Sequence, residues 1–412
     1  MKPYVIFAAV LLLSVLPAGA GTAFKIPEGY PRLVLSAEDL EIMRSNALSG
    51  EEPFASSWKA LQDRLSVCFE DDWKPSLYNG ENSQLFYQAC IGSADYARDL
   101  AIAWWISGDA RYAAKVLEIM DLWTSQRPMA GSWFNPEIRY PNTGMEVSRA
   151  MFPFLYAYDL LMAGDMVPRE SSERFEAWLR LLLPHIEEGA RRWEENDWFA
   201  HQYYQNHIAA DAMGMLAMGI VLGDSRLVAR ALDSEENTRD VKDVVKGIVL
   251  MEGQAPYEKE PVDIPASDGE IMDRYRHFMI GGQYKDYRTS PNRGLQYCGL
   301  SSILLVACAE MCKMIGVDLY GWTADTGESV KLPLMYYADF YIEKNTVIKS
   351  GFYSGENAWI NANDSATYSL WEIANCRYPG EEKFRRVLET NERGSMGLHL
   401  FGPVTLTHGR EL

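Results

Sequence analysis

An amide and an imidazole stand side by side at Asn206-His207, where the polar, aromatic run Tyr203-Tyr204-Gln205 gives way to an apolar stretch over 208–222. Apolar residues recur there at three- and four-residue spacing, which predicts a helix starting near Asn206. Both side chains then sit at its electropositive end, where open N–H groups and the helix dipole favour an anion. Asp211 follows His207 by four residues, on the same face, and is placed to orient the imidazole. Alone, the pair reads first as a capping Asn followed by a satisfied histidine. A second group shifts that balance. In Arg293-Gly294-Leu295-Gln296-Tyr297 an Arg and a Tyr stand one helical turn apart at the start of another apolar run. A neighbouring guanidinium favours phenolate over phenol and draws a tyrosine pKa down from its usual value of about 10. Such a ring can exchange protons. A surface Arg packed on a core Tyr accounts for these two residues equally well.

The third group is Asn142-Thr143-Gly144-Met145-Glu146-Val147-Ser148-Arg149-Ala150. Glu146 and Arg149 share a helix face and either pair with each other or line a pocket, with Arg139 and Asn142 in the preceding loop. Further on, Arg274, Arg276, Lys285, Arg288 and Arg293 alternate with Tyr275, Tyr284 and Tyr287. Cations and stacking rings in that mixture suit a charged sugar chain. A solvated, salt-bridged loop fits as well, since Asp268, Glu270, Asp273 and Asp286 lie among them. The six histidines (His185, His201, His207, His277, His399 and His408) form neither HxxxH nor HExxH, so no helical zinc site is expected. A GxSxG elbow, a Walker loop and a dinucleotide glycine fingerprint are all missing. What remains is acid–base chemistry by His, Tyr and carboxylates.

The elements that must carry these residues are helical. Helical period runs through 52–68, 84–106, 110–125, 145–162, 170–193, 208–222, 226–249, 294–315, 331–343 and 365–376, while strand-like alternation is scarce, with 345–352 its best example. Tyr30-Pro31-Arg32-Leu33-Val34-Leu35 gives an extended lead-in, and Ser36-Ala37-Glu38-Asp39 a capping box. The breaks repeat: Gly108-Asp109, Gly223-Asp224, and more loosely Gly164-Asp165 and Gly316-Val317-Asp318. In each, Gly ends one helix and Asp caps the next. Such punctuation predicts helical hairpins stacked in series, as an open solenoid or a closed toroid. No linker divides the chain, so a single domain over 21–412 is expected, its longest irregular loop being 252–267.

Net charge is −18 and no Lys/Arg-rich run occurs, which argues against a nucleic-acid partner. Residues 1–20 read as a secretory signal: Lys2, an apolar run over 5–16, and the small-residue site Ala18-Gly19-Ala20. A periplasmic or secreted protein with no membrane association after signal removal is therefore expected, as a monomer. The six cysteines match no zinc or haem pattern, and the compartment permits disulfides without the sequence demanding them.

The order of these motifs resembles the alginate-lyase superfamily of polysaccharide lyases. The Tyr-Pro-Arg-Leu lead-in, GMEVSRA…YAYDLL, the Asn-His helix start, Asp268-Gly269, Arg293…Tyr297 and Gly316-Val317-Asp318-Leu319-Tyr320 carry the likeness, over roughly 30–322. It implies an all-α fold, an incomplete (α/α) toroid of stacked helical hairpins, and the chain looks more like the single-domain members, which act on alginate or glucuronan, than the two-domain ones. It also implies β-elimination at a 1,4-linked uronic acid, with no metal or organic cofactor and an anionic polysaccharide as partner. Asn206, with Arg293 or a protonated Glu146, would neutralise the carboxylate; Tyr297 and His207 would move the protons. Some members carry the tyrosine where this chain has Leu300, which leaves Tyr297 or Tyr284 for that role. Arg139, Asn142, Glu146, Arg149, Tyr203, Tyr284 and Arg288 would bind substrate.

Overall fold

Local capping signals do start and stop the helices in this chain. The computed structural model describes residues 22–78, 82–126, 142–195, 205–237, 239–254, 266–271, 276–280, 283–286, 294–343, 369–394 and 397–412. Among them the helices are α1 (Ala37–Leu48), α2 (Phe54–Ser66), α3 (Ser83–Ser107), α4 (Ala110–Thr124), α5 (Thr143–Ala163), α6 (Arg169–Glu195) and α7 (Asn206–Leu222). They continue as α8 (Ser225–Leu232), α9 (Val241–Ile248), α10 (Gly294–Met314), α11 (Lys331–Ile342), α12 (Leu370–Arg377), α13 (Glu382–Thr390) and α14 (Val404–His408). Ser36 opens α1 through the expected capping box, its hydroxyl accepting from Asp39 N while the Asp39 carboxylate accepts from Ser36 N, each at 3.1 Å. Gly108 (φ +72°) and Gly223 (φ +67°) take the left-handed conformation that closes α3 and α7. Asp109 and Asp224 then cap α4 and α8 by accepting first-turn N–H groups near 3.0 Å.

The looser copies behave differently. Asp165 itself adopts the positive φ (+56°), and α6 begins only at Arg169. Asp318 folds back to accept from Gly321 N at 2.8 Å, closing a turn rather than a helix. The run over 226–249 is two helices, because Asp240 caps a new start by accepting from Asp243 N at 2.9 Å. α12 is described from Leu370, the earlier part of its predicted span lying outside the described residues, and α13 and α14 have no counterpart in the predicted set. The one described sheet pairs β1 (Arg276–Ile280) with β2 (Gln283–Asp286), antiparallel. The strand expected at 345–352 lies outside the described residues. None of the six cysteines forms a disulfide.

Packing sorts the helices into two layers. α3, α5, α7 and α10 lie side by side in that order; α4 packs on α3 and α6, α6 on α5 and α7, and α8 on α7. Inner α5 and α7 are buried almost all round, whereas outer α4 buries only the stripe Ala113, Val116, Ile119, Met120 and Trp123. The result is the all-α incomplete (α/α) toroid. The lead-in closes its far end. Leu33, Val34 and Leu35 are fully buried, and the Arg32 and Leu33 N–H groups donate to the Asp159 carboxylate of α5 at 2.9 and 3.2 Å. The Arg32 guanidinium meanwhile donates to the Val221 carbonyl at the end of α7. Burial pushes Asp159 up to about 7, with the two backbone donors holding it back.

Two glycines let side chains of the neighbouring inner helix sit directly against the backbone. A Cβ at Gly144 would overlap the Asp211 carboxylate, and one at Gly214 would overlap Ser148. Gly189 of α6 sits equally tight against Gly144. Overpacking of this kind costs about 1–3 kcal/mol. We expect Gly214→Ala to lower the midpoint of thermal unfolding by several degrees, read by calorimetry; an unchanged midpoint would show that α5 and α7 can separate freely.

Candidate active site

Three inner helices run parallel, with their N-termini at one end. Thr143 at the start of α5 bonds Ser83 at the start of α3 (3.2 Å), and seven residues further along each helix the Cys90 thiol meets the Ala150 carbonyl. Gly144 against Asp211 and Ser148 against Gly214 set the same direction for α7. Three dipoles therefore add at this end. Asn82 caps α3 through its side chain, whereas neither Asn142 nor Gln205 caps its helix that way. The first-turn N–H groups of α5 and α7 are left to other acceptors.

Gln205 holds the cap position of α7, so Asn206 is its first helical residue and not its cap. Asn206 and His207 are 1% and 5% exposed. Charge interactions at such a dry position are screened little. Trp193, near the end of α6, stacks on the His207 ring at 4.2 Å between centroids and 13° between planes. That contact fixes the imidazole plane, and nothing in residue spacing foretold it. Asp211 lies deep in the α5–α6–α7 contact, its Oδ1 without a hydrogen-bond partner. Burial pushes its carboxyl well above the ordinary range, with Arg239 pulling the other way.

Glu146 and Arg149 do not pair with each other. Glu146 is 6% exposed and bonds Ser83; its Oε2 is buried without a partner, and burial raises its pKa against the opposing pull of Ser83 and Arg149. Arg149 instead donates from Nε and Nη2 to His399 Nε2 at 3.2 and 3.0 Å, and lies over the Tyr87 ring at 5.2 Å. The i,i+3 geometry permitted an ion pair, but the guanidinium leans across a different face. Asn142 is partly exposed at the head of α5. Tyr297 is half-buried in the first turn of α10, which packs on α7. Tyr284 belongs to β2, opposite Met279. Arg139, Tyr203, Arg288 and Arg293 lie outside the described residues; in sequence Arg139, Tyr203 and Arg293 stand four, three and one residues before α5, α7 and α10.

A carboxyl, an amide and an imidazole come from the heads of the parallel helices α5 and α7, with a phenol in the first turn of neighbouring α10, and the sequence comparisons name the family. The model of the alginate lyase family matches residues 74–346. The chain belongs to the alginate lyase family. It is a polysaccharide lyase. A comparison with curated proteins returned no match. Among solved structures it is similar to an alginate lyase from Bacteroides ovatus, at 11% identity and TM-score 0.64, covering 93% of this chain and 100% of that one. It is also similar to alginate lyase A1-III from Sphingomonas species A1, at 14% identity and TM-score 0.53, covering 91% and 99%. A histidine-to-alanine variant of A1-III complexed with a tetrasaccharide aligns at 14% identity and TM-score 0.55, over 92% and 97%. At these identities the likeness is one of fold.

Residues that sequence reasoning missed share one trait: Ser83, Tyr87, Trp193 and His399 enter the site from elements remote from its motifs. Only the aromatic richness of the chain hinted at Trp193. Asp211 gives a pH test. Its folded pKa is raised, so its ionisation penalises the folded state progressively as pH rises above the ordinary carboxylate range. Asp211→Asn removes that penalty while keeping the shape. The variant should melt higher than wild type at neutral pH, and the gap should close on acidification towards pH about 4. A gap independent of pH would mean that folding does not raise the Asp211 pKa.

Proposed function

We propose that this lyase acts on alginate, cutting 1,4-linked uronate chains by β-elimination, as a protein exported to the periplasm or beyond. The observation that carries the reading is the Asn206-His207 pair at the head of α7, held dry against Trp193, in a chain whose family is that of the alginate lyases. Histidine and tyrosine variants of the similar A1-III enzyme were both complexed with a tetrasaccharide, and this chain supplies one candidate of each type in His207 and Tyr297.

The C5 proton of a uronate is too weakly acidic to remove while the adjacent carboxylate keeps its full charge. Asn206, with Arg293, would hydrogen-bond that carboxylate and stabilise the enolate-like charge as the proton leaves. A base takes the C5 proton, and an acid protonates the departing C4 oxygen. In mannuronate and glucuronate, proton and leaving group lie on one side of the ring, so Tyr297 can serve as both base and acid. In guluronate the C5 proton lies on the other face, where His207 is the base and Tyr297 the acid. Glucuronan remains the second substrate, since its C4 and C5 configuration is that of mannuronate.

Digests of alginate, polymannuronate, polyguluronate and glucuronan, followed by the ultraviolet absorbance of unsaturated uronate, test this directly. New reducing ends without that absorbance would mean hydrolysis instead. Tyr297→Phe should cut kcat by at least about a hundredfold, the usual contribution of a positioned proton carrier, with KM little changed. His207→Ala should harm guluronate cleavage more than mannuronate cleavage; equal losses would assign His207 to structure or to carboxylate neutralisation.

A further inference from the structure

The face of α5 that carries Met145, Arg149 and Phe152 reaches beyond Tyr87 of α3, over whose ring the Arg149 guanidinium lies. It meets the C-terminal segment 397–408. Phe401 packs edge-on against Phe152 at 6.0 Å, and His399 takes two hydrogen bonds from Arg149. The segment is held there firmly. The Leu398 N–H donates to the Gly402 carbonyl at 2.7 Å, and the Leu400 carbonyl accepts from Arg98, itself buried between Asp95 and Asp99. Leu400 adopts φ +75°, a left-handed conformation that costs a side-chain-bearing residue about 1–2 kcal/mol. Strain beside a polar contact, sustained by a buried ion cluster, points to a purpose for the residue it aims. That residue is His399, beyond the stretch matched by the family model.

The charge pattern suggests the purpose. Arg98, Arg377 and Arg393, the most buried ion-paired arginines described, each meet a carboxylate within 3 Å. Arg149 meets none: its partners are His399, the Met145 sulfur at 3.5 Å and the Tyr87 ring. Burial, with the Arg149 and Arg98 charges, holds the His399 imidazole neutral, so Nε2 is an acceptor. Arg149 and Tyr87 both keep partial access to solvent. A positive charge is thus fixed in place beside a stacking ring with no described carboxylate at ion-pair distance, and Glu146, which lies within reach of its field, is pushed towards neutrality by burial. Ser148 faces Gly214, which is seven residues beyond His207, or about 10 Å along α7 at roughly 1.5 Å per residue. Arg149 therefore stands well away from the proposed proton transfer.

We propose that Arg149 and Tyr87, with His399 as the positioning residue behind the guanidinium, form a subsite for the carboxylate of a uronate unit other than the one that reacts. The inference rests on the uronate-lyase reading. An incoming carboxylate would displace the weak Met145 contact and accept from Nη1 and Nη2, while Tyr87 stacks on the sugar.

The test is steady-state release of unsaturated uronate from the best-cleaved polyuronate by wild type, Arg149→Gln, His399→Phe and His399→Gln, with thermal midpoints measured alongside. Arg149→Gln should raise KM about tenfold or more, the loss expected of one charge-assisted hydrogen bond, with kcat within about threefold. His399→Phe should follow it, and His399→Gln, which keeps an acceptor, should restore most of the affinity. Unchanged KM for both Arg149→Gln and His399→Phe at wild-type midpoints would overturn the subsite, as would a collapse of kcat at constant KM. Should His399→Phe fail to fold, Arg149→Gln decides alone. If wild type yields no unsaturated product from any polyuronate, the lyase reading falls. Calorimetric titration with the same polymers then still judges the subsite, weaker binding by Arg149→Gln supporting it and equal binding removing it.

Discussion

Everything at the site depends on how closely α5, α6 and α7 approach one another. Gly144, Gly189 and Gly214 remove the side chains that would hold these helices apart, and Asp211 and Ser148 occupy the space so released. With only these two side chains filling the gaps, the heads of α5 and α7 are held against each other. Asn206 and His207 inherit that precision, since they begin α7 a turn above Asp211. A site built on helix starts gains rigidity from the core directly beneath it.

The same closeness has an electrostatic effect. The protein is strongly acidic, yet parallel inner helices concentrate positive partial charge at one end, where α5 and α7 are not capped by their own cap side chains. Local dipoles act over the first turn, whereas the net charge acts at long range and is screened by salt. A strongly acidic surface and an end that favours anions can thus coexist in one molecule. Burial also separates the carboxyls by task. Glu310, paired with Arg377 and close to His408, is held ionised, while Asp211 and Glu146, lacking such partners, are pushed towards neutrality.

The C-terminal segment shows how a toroid of repeated hairpins acquires an asymmetric interior. α14 packs on α1, α2 and α12, and the preceding turn reaches α3 and α5. His399 and Phe401 so become part of the inner wall, though no repeat contains them. The lead-in plays a matching role at the other end, where Asp159 anchors it: the YAYDLL motif serves assembly there.

Helical period, the Ser36 capping box and the Gly108-Asp109 and Gly223-Asp224 breaks were legible in the sequence because each is satisfied within a few residues along the chain. For the same reason the head of α7 could be placed at Asn206. The looser breaks misled, since whether Asp165 or Asp318 caps a helix depends on the path of the chain beyond it. Residue spacing allowed Glu146 and Arg149 to pair. Tertiary structure sent one to Ser83 and the other to a histidine 250 residues away. Stacking of Trp193 on His207 likewise needed the outer layer docked on the inner one. Capping and periodicity are local hydrogen-bond and burial rules, which sequence determines; the choice of partner across a cleft is made by which helix faces close together, and only the packed fold decides that.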